Sequence, residues 1–182
     1  METLIFATNN QHKVDEVKNI LGNRFSIISL KEAGIDIDIP EPYNSLEENA
    51  REKSSVIFQL TGKNCFSEDT GLEVASLNGA PGVKSARYAG DDSNSEANIK
   101  ELLIELGVTK RREARFKTVI SLMFNGAEYQ FEGICEGIIL DVRKGGSGFG
   151  YDSVFVPEGS NKSFAEMDIT EKSIFSHRKK AI

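Results

Sequence analysis

The residues of this chain best equipped for chemistry are two adjacent acids, Glu68 and Asp69, set in the stretch NCFSEDTGLEV from Asn64 to Val74. An apolar run through Cys65 and Phe66 leads into them, Thr70 and Gly71 follow, and apolar alternation resumes at Leu72 and Val74. The pattern predicts a strand that delivers carboxylates at its end. Such acids are costly to bury unless a cation or a proton balances them, so metal binding or general-base work is a natural use. The plain alternative is a solvated turn, because Asp, Thr and Gly are ordinary turn residues. Their surroundings decide between the two.

Basic and polar groups that could serve the same chemistry are spread along the chain. Thr8-Asn9-Asn10 lies between a predicted strand, Thr3 to Ala7, and a helical pattern through Val14, Val17, Ile20 and Leu21 that Gly22 would stop. A strand, a polar turn and a helix start bring free backbone N–H groups and the positive end of a helix dipole together, with Lys13 in the first turn. The segment is neither a P-loop nor a GxGxxG fingerprint, so anion binding and simple helix capping are equally good readings. Ser45 and Glu48 resemble a capping box ahead of a helix that runs to Gly62, and Lys53 lies one turn after Asn49 on or beside its apolar stripe. A lysine so placed either snorkels to water or reaches into a cleft. Glu41, between Pro40 and Pro42, is a loop acid.

The elements that must position these groups follow from patterning. Phe25 to Leu30 reads as a second strand, Ser95 to Leu106 as a helix ended by Gly107, and Arg115 to Phe124 as a strand. Asn125-Gly126 then marks a tight hairpin into a partner strand from Glu128 to Leu140. Asn78 to Gly90 is too rich in Gly and Pro for a regular element and predicts an ordered loop. GGSGFGYD, Gly145 to Asp152, feeds a strand from Ser153 to Val156; its glycines would let backbone approach a ligand while Phe149 and Tyr151 project from it, unless it is a flexible tip. Lys172 and Arg178 would point to different sides of one ideal helix, so their convergence needs a break, which Ser176 could supply as the cap of a new final helix.

The 182 residues suit one α/β domain, residues 1–182, built as two lobes on a shared mixed sheet. A net charge of −6 argues against a broad nucleic-acid surface, although basic residues that converge locally could hold a small anion. Nothing in the chain reads as a signal peptide or a membrane span. The only cysteines, Cys65 and Cys135, sit in apolar strand-like runs and read as reduced core residues of a cytoplasmic protein.

Taken together, FATNNQHK (6–13), SLEENAREK (45–53), SEDTGLEV (67–74), GAPGVKSARYAG (79–90), GFGYD (148–152) and EKSIFSHR (171–178) resemble the inosine triphosphate pyrophosphatase family, over nearly the whole chain and in consistent order. The resemblance implies an elongated mixed β-sheet with flanking helices forming two lobes around a nucleotide cleft, and usually a homodimer. It implies Mg²⁺-dependent hydrolysis of non-standard purine triphosphates (ITP, dITP, XTP) to the monophosphate and pyrophosphate, a cleansing of the nucleotide pool. By resemblance, Thr8, Asn9, Asn10 and Lys13 form a triphosphate-binding turn, Lys53 is a further phosphate contact, and Glu41 and Asp69 hold Mg²⁺, with Asp69 also the general base. Thr70 stands beside the substrate. Phe149, Gly150, Tyr151 and Asp152 form the base-binding segment, with Phe149 stacked on the purine, and Lys172, His177 and Arg178 read its edge. The chain departs from the family in having Glu68 where Asp is more common, and in stopping soon after SHR. Two other readings stay open: a catalytically impaired nucleotide-binding sensor, and a pyrophosphatase for another modified triphosphate.

Overall fold

A computed structural model describes residues 2–182. Seven strands are formed: β1 (Thr3–Phe6), β2 (Ser26–Ser29), β3 (Cys65–Val74), β4 (Pro81–Gly82), β5 (Glu113–Phe124), β6 (Ala127–Ile139) and β7 (Phe155–Pro157). They pair in the order β2-β1-β3-β5-β6-β7, with β4 beside β3. The helices are α1 (Gln11–Leu21), α2 (Leu46–Thr61), α3 (Ser95–Leu106), α4 (Ile169–Phe175) and α5 (His177–Ala181). Parallel β1–β2 and β1–β3 pairs and antiparallel β3–β4 and β6–β7 pairs make the sheet mixed, as expected of the α/β class.

The chain divides into two compact units. One gathers residues up to Asp69, Thr118–Gly133 and Arg178–Ile182; the other gathers Thr70–Lys117 and Ile134–His177. Each has its own core. In the first unit, alternation along β3 sorts side chains to two faces. Phe66 packs with Val14 and Val17 of α1 and Ala181 of α5, whereas Cys65 packs with Ile57 of α2. Phe6 and Phe66 stack across β1 and β3, with ring centroids 4.4 Å apart. In the second unit, Ile99, Leu102 and Leu106 of α3 pack with Leu72, Phe116, Phe155 and Phe164.

Most boundaries follow the local signals. Gly62 closes α2 in the left-handed region, its N–H donating to the Phe58 carbonyl, and α3 spans the residues expected of it. A break at Ser176 separates α4 from α5, so His177 and Arg178 open the final helix. Ser45 caps α2 by accepting the Glu48 N–H, but the Glu48 carboxylate accepts from the Ser45 hydroxyl instead of closing a reciprocal box. β7 starts later than expected, because a turn in which the Val154 N–H donates to the Tyr151 carbonyl takes up the residues before it.

Two expectations are corrected. Asn78 to Gly90, read as a loop too rich in Gly and Pro for a regular element, contains β4 and a 3-10 turn at Ser85–Arg87, because Pro81 and Gly82 pair with β3. Glu68 and Asp69 are not at the end of their strand: β3 runs on through Thr70 and Gly71 to Val74. The cause is a long-range neighbour. Leu72 and Glu73 pair with Gly82 and Pro81 of β4, and a Cβ at Gly71 would lie 2.6 Å from the Gly82 carbonyl oxygen. Gly71 is therefore an allowance for close backbone approach within a strand, not a turn residue.

Candidate active site

The first unit builds a polar cluster where β1 ends. Its parallel pairing with β3 stops at Phe6 and Phe66, so Glu68 and Asp69 lie just beyond it, at the level of the following Thr8–Asn10 turn. This is where parallel strands commonly present ligand-binding groups. The turn is tied by its own side chains: Thr8 Oγ1 accepts the Asn10 N–H at 3.1 Å, and Asn10 Oδ1 caps α1 by accepting the Lys13 N–H at 3.3 Å. Asn9 is exposed between them.

On the odd-numbered face of β3 stands α2. The Ser67 hydroxyl donates to the Ala50 carbonyl, and the Cys65 thiol to that of Ser54, which fixes the helix against the strand. Lys53, one residue short of Ser54, is thereby buried opposite Asp69, with its Nζ 3.0 Å from Asp69 Oδ1 and hydrogen-bonded also to Glu41 Oε1. Of its two expected fates, snorkelling is excluded. Glu41 reaches Lys53 from an irregular segment whose Ile35, Ile37 and Ile39 pack on the core. Buried Asn49 clamps that segment, accepting the Tyr43 N–H at 3.0 Å and donating to the Tyr43 carbonyl at 3.1 Å.

Burial, and after it the nearby Glu41 charge, outweigh Lys53 and hold the Asp69 carboxyl above its ordinary pKa. Burial alone would lower the Lys53 pKa, but Asp69 and Glu41 together raise it. Asp69 Oδ2 is buried with no hydrogen-bond partner among the described residues. Two carboxylates that meet on one ammonium, through Asp69 Oδ1 and Glu41 Oε1, fit a hard divalent cation such as Mg²⁺, which takes one or two protein carboxylates and completes its shell with water and phosphate oxygens; the orphaned Oδ2 is then placed to meet water. Among the described residues no group of three or more His, Cys, Asp and Glu forms a protein cage.

On the even-numbered face, Glu68 meets a different set. Arg178 of α5 grips it with Nε and Nη2 at 2.6 and 2.7 Å, and Lys13 lies 3.0 Å away. Arg178 Nη1 also donates to Glu16 of α1. Burial would raise the Glu68 pKa, but Arg178 and then Lys13 overcome this and hold it well below the carboxylate range. Arg178 and Lys13 thus meet Glu68 and Glu16, two cations with two carboxylates.

The second unit builds another cluster around Asp152. Its Oδ2 accepts the Phe149 N–H at 2.9 Å and Lys172 Nζ at 2.7 Å. The ammonium lies 5.0 Å from the centre of the half-buried Phe149 ring and 5.2 Å from that of Phe164, within cation–π range. Gly148, at φ +79°, makes this possible: a Cβ there would stand 2.2 Å from Asp152 Oδ2. Gly150 lies in the turn that follows, and Thr70 is half-buried on β3.

The expected residues therefore do not all stand as foreseen. Thr8, Asn9, Asn10, Lys13, Glu41, Lys53 and Asp69 gather in the first unit. Tyr151 does not project: its ring is buried in the core and its hydroxyl donates to the Ser85 carbonyl at 2.8 Å. His177 is also buried, stacked on Phe116 with centroids 4.7 Å apart. Arg178, expected at the purine edge, belongs to the first unit and is occupied there by carboxylates. Asn49 and Glu16 were not anticipated. Their only traces in the sequence are helical spacings, Asn49 one turn from Lys53 and Glu16 one turn from Lys13.

The chain is similar over nearly its whole length to known proteins. Residues 4–182 match the Ham1 family. The dITP/XTP pyrophosphatase of Christiangramia forsetii is 50% identical over 96% of this chain and 92% of its own, and that of Porphyromonas gingivalis 48% identical over 100% and 94%. Among solved structures, the Staphylococcus aureus Ham1 protein superposes with a TM-score of 0.87 at 38% identity, covering 99% of this chain and 94% of that one. A HAM1 protein from Coxiella burnetii gives 0.88 at 34% identity, over 100% and 94%. The family resemblance carried by the motifs is thus borne out along the chain: this protein belongs to the Ham1 family.

Proposed function

We infer that the protein hydrolyses the triphosphates of non-standard purines, dITP, XTP and ITP, to the monophosphate and pyrophosphate. The observation that carries this is Asp69: a buried carboxylate with one oxygen unsatisfied among the described residues, beside Glu41 and Lys53 at the level of the Thr8–Asn10 turn. Relatives that match over more than nine-tenths of both chains are dITP/XTP pyrophosphatases.

A triphosphate carries about four negative charges, so its hydrolysis calls for cations at the phosphates and a group to orient water. The Thr8–Asn10 turn offers backbone N–H groups at the start of α1, and Lys13 and Lys53 add positive charge. Glu41 and Asp69 would hold Mg²⁺. Once bound, that ion screens phosphate charge and polarises the scissile phosphoryl group. Asp69 Oδ2, which has no hydrogen-bond partner among the described residues, accepts the proton of the attacking water. Attack in line at the α-phosphorus releases pyrophosphate as one unit.

Base choice falls to the Asp152 cluster. Phe149 offers a face for the purine, and Lys172 a donor for the 6-carbonyl of hypoxanthine or xanthine. Adenine presents an amino group there and would leave a buried donor unpaired, at about 1–3 kcal/mol. Two buried, unbridged cysteines suit a reducing, cytoplasmic setting, and a homodimer is carried over from the family resemblance. No helix among the described residues is long and apolar enough to cross a membrane.

The test is product analysis with Mg²⁺ across dITP, ITP, XTP, GTP and ATP, scoring pyrophosphate and single phosphate separately. Pyrophosphate from the first three is the expected result. Binding of ITP without any product would make the protein a nucleotide sensor instead.

A further inference from the structure

We propose that Lys53 holds the place of the divalent cation in the ligand-free enzyme, bridging Glu41 and Asp69 until a metal ion displaces its ammonium group, which then becomes available to the triphosphate. The proposal rests on the reading of Glu41 and Asp69 as the metal-binding pair.

Three observations support it. The first is position: one ammonium nitrogen bonds both carboxylates, Asp69 Oδ1 at 3.0 Å and Glu41 Oε1, so it occupies the space between them that a shared cation would use. The second is charge. Asp69 and Glu41 share one bonded ammonium, and a divalent ion in its place would bring the pair a second positive charge; Lys13, which also attracts Asp69, is itself bonded to Glu68 on the opposite strand face. The third is mobility of the right kind. Asp69 is fixed by β3, and the Glu41 segment is clamped through Asn49 and Tyr43, whereas Lys53 ends a flexible four-carbon stem that can swing without moving α2.

The exchange links metal to nucleotide. A metal ion arriving alone must evict an ammonium that has nowhere equally good to go. With a triphosphate present, the evicted ammonium gains phosphate oxygens as partners. Metal and nucleotide therefore strengthen each other's binding, with Lys53 as the group that couples them.

The experiment measures metal binding, not turnover. Mn²⁺ is titrated into the wild-type protein and Lys53→Met, without nucleotide, and free Mn²⁺ is followed by electron paramagnetic resonance. Lys53→Met is expected to bind at least about tenfold tighter, since the competing charge is gone. A dITP analogue with a methylene bridge between the α- and β-phosphates should tighten Mn²⁺ binding to the wild type, and by a smaller factor in the variant. Separately, the Lys53 ¹³Cε resonance of the wild type, identified by its absence from Lys53→Met or Lys53→Arg, should move during a Mg²⁺ titration. That measurement decides the matter even where Lys53→Met does not fold. Equal or weaker Mn²⁺ binding by the variant, or a Lys53 resonance that stays still while Mg²⁺ binds, overturns the exchange and leaves the metal-binding pair intact. Failure of Mn²⁺ to bind either protein, with or without the analogue, overturns the metal-binding pair itself and the exchange with it.

Discussion

Arg178 and Glu68, separated by 110 residues, form a two-pronged ion pair at 2.6 and 2.7 Å, and both side chains are buried. Glu68 and Asp69 are neighbours in sequence, yet strand alternation sends them to opposite faces and to separate partners. Glu68 therefore has a job of its own: it holds Arg178 and Lys13 in place, while Asp69 faces Lys53 and Glu41.

Removing that carboxylate leaves two cations without their main partner. Glu68→Gln is expected to cost about 3–5 kcal/mol, the usual penalty for breaking a buried ion pair from one side. Glu68→Asp, which keeps the charge, should lose less. The pH dependence follows from the depressed pKa of Glu68. The stability it contributes is fully present above the unfolded value, about 4.3, and is lost as pH falls from there through the folded pKa. Urea midpoints of wild type and Glu68→Gln should thus differ most at neutral pH and converge in acid. A gap that is constant down to pH values well below the ordinary carboxylate range would remove the charge from the explanation.

Asp69→Asn should retain the fold and nucleotide binding but lose turnover by about 10²–10⁴-fold, the usual contribution of a positioned base. Pyrophosphate release from dITP and equilibrium binding of the methylene analogue, measured on the same preparation, separate the two effects. Turnover near the wild-type level would take the base role away from Asp69.

Asn49 touches no reacting group, yet it grips both backbone polar groups of Tyr43 and so sets the segment that carries Glu41. Asn49→Ala is expected to raise the Mg²⁺ concentration needed for half-maximal rate severalfold, with a smaller change in the rate at saturating Mg²⁺. A merely structural role would lower the unfolding midpoint and leave the metal dependence unmoved.

Much of this architecture is legible in the sequence where the signal is local. The Asn125-Gly126 hairpin, the glycine that stops α2, the limits of α3 and the break at Ser176 all depend on residues within a few positions of each other. What escapes is set by distant neighbours. Gly71 looks like a turn glycine until Gly82 is seen against it, and Tyr151 looks like a ligand-facing ring until its hydroxyl finds Ser85. The roles of Glu16 and Glu68 depend on Arg178, which no spacing rule links to either.

Cys65 is buried, its thiol donating to the Ser54 carbonyl at 3.3 Å, and burial pushes its pKa up to about 12. Since the thiolate is the reactive form, Cys65 should stay silent toward a disulfide reagent at pH 8 in the native protein and react only after unfolding. Cys135 is equally inaccessible, so the native protein should release almost no chromophore and the denatured protein two equivalents. Prompt reaction of the native Cys65 thiol, assigned against Cys135→Ala, would show that α2 lifts from β3 on the timescale of the assay.

Lys172 gives the sharpest test of base choice. It is buried between Asp152 and the Phe149 ring, and its ammonium group carries three donors. Lys172→Met keeps the length of the stem and removes the charge, so Asp152 keeps the Phe149 N–H but loses its cation. With dITP and XTP, kcat/KM should fall by roughly 5–150-fold, corresponding to the loss of about 1–3 kcal/mol from one buried hydrogen bond. ATP gains nothing from this donor, so its low rate should change little and the ratio of dITP to ATP should shrink by the same factor. If both substrates lose equally, Lys172 acts by shaping the Phe149 segment and not by reading the purine, and Lys172→Arg, which restores the charge beside Asp152, should then recover both rates together.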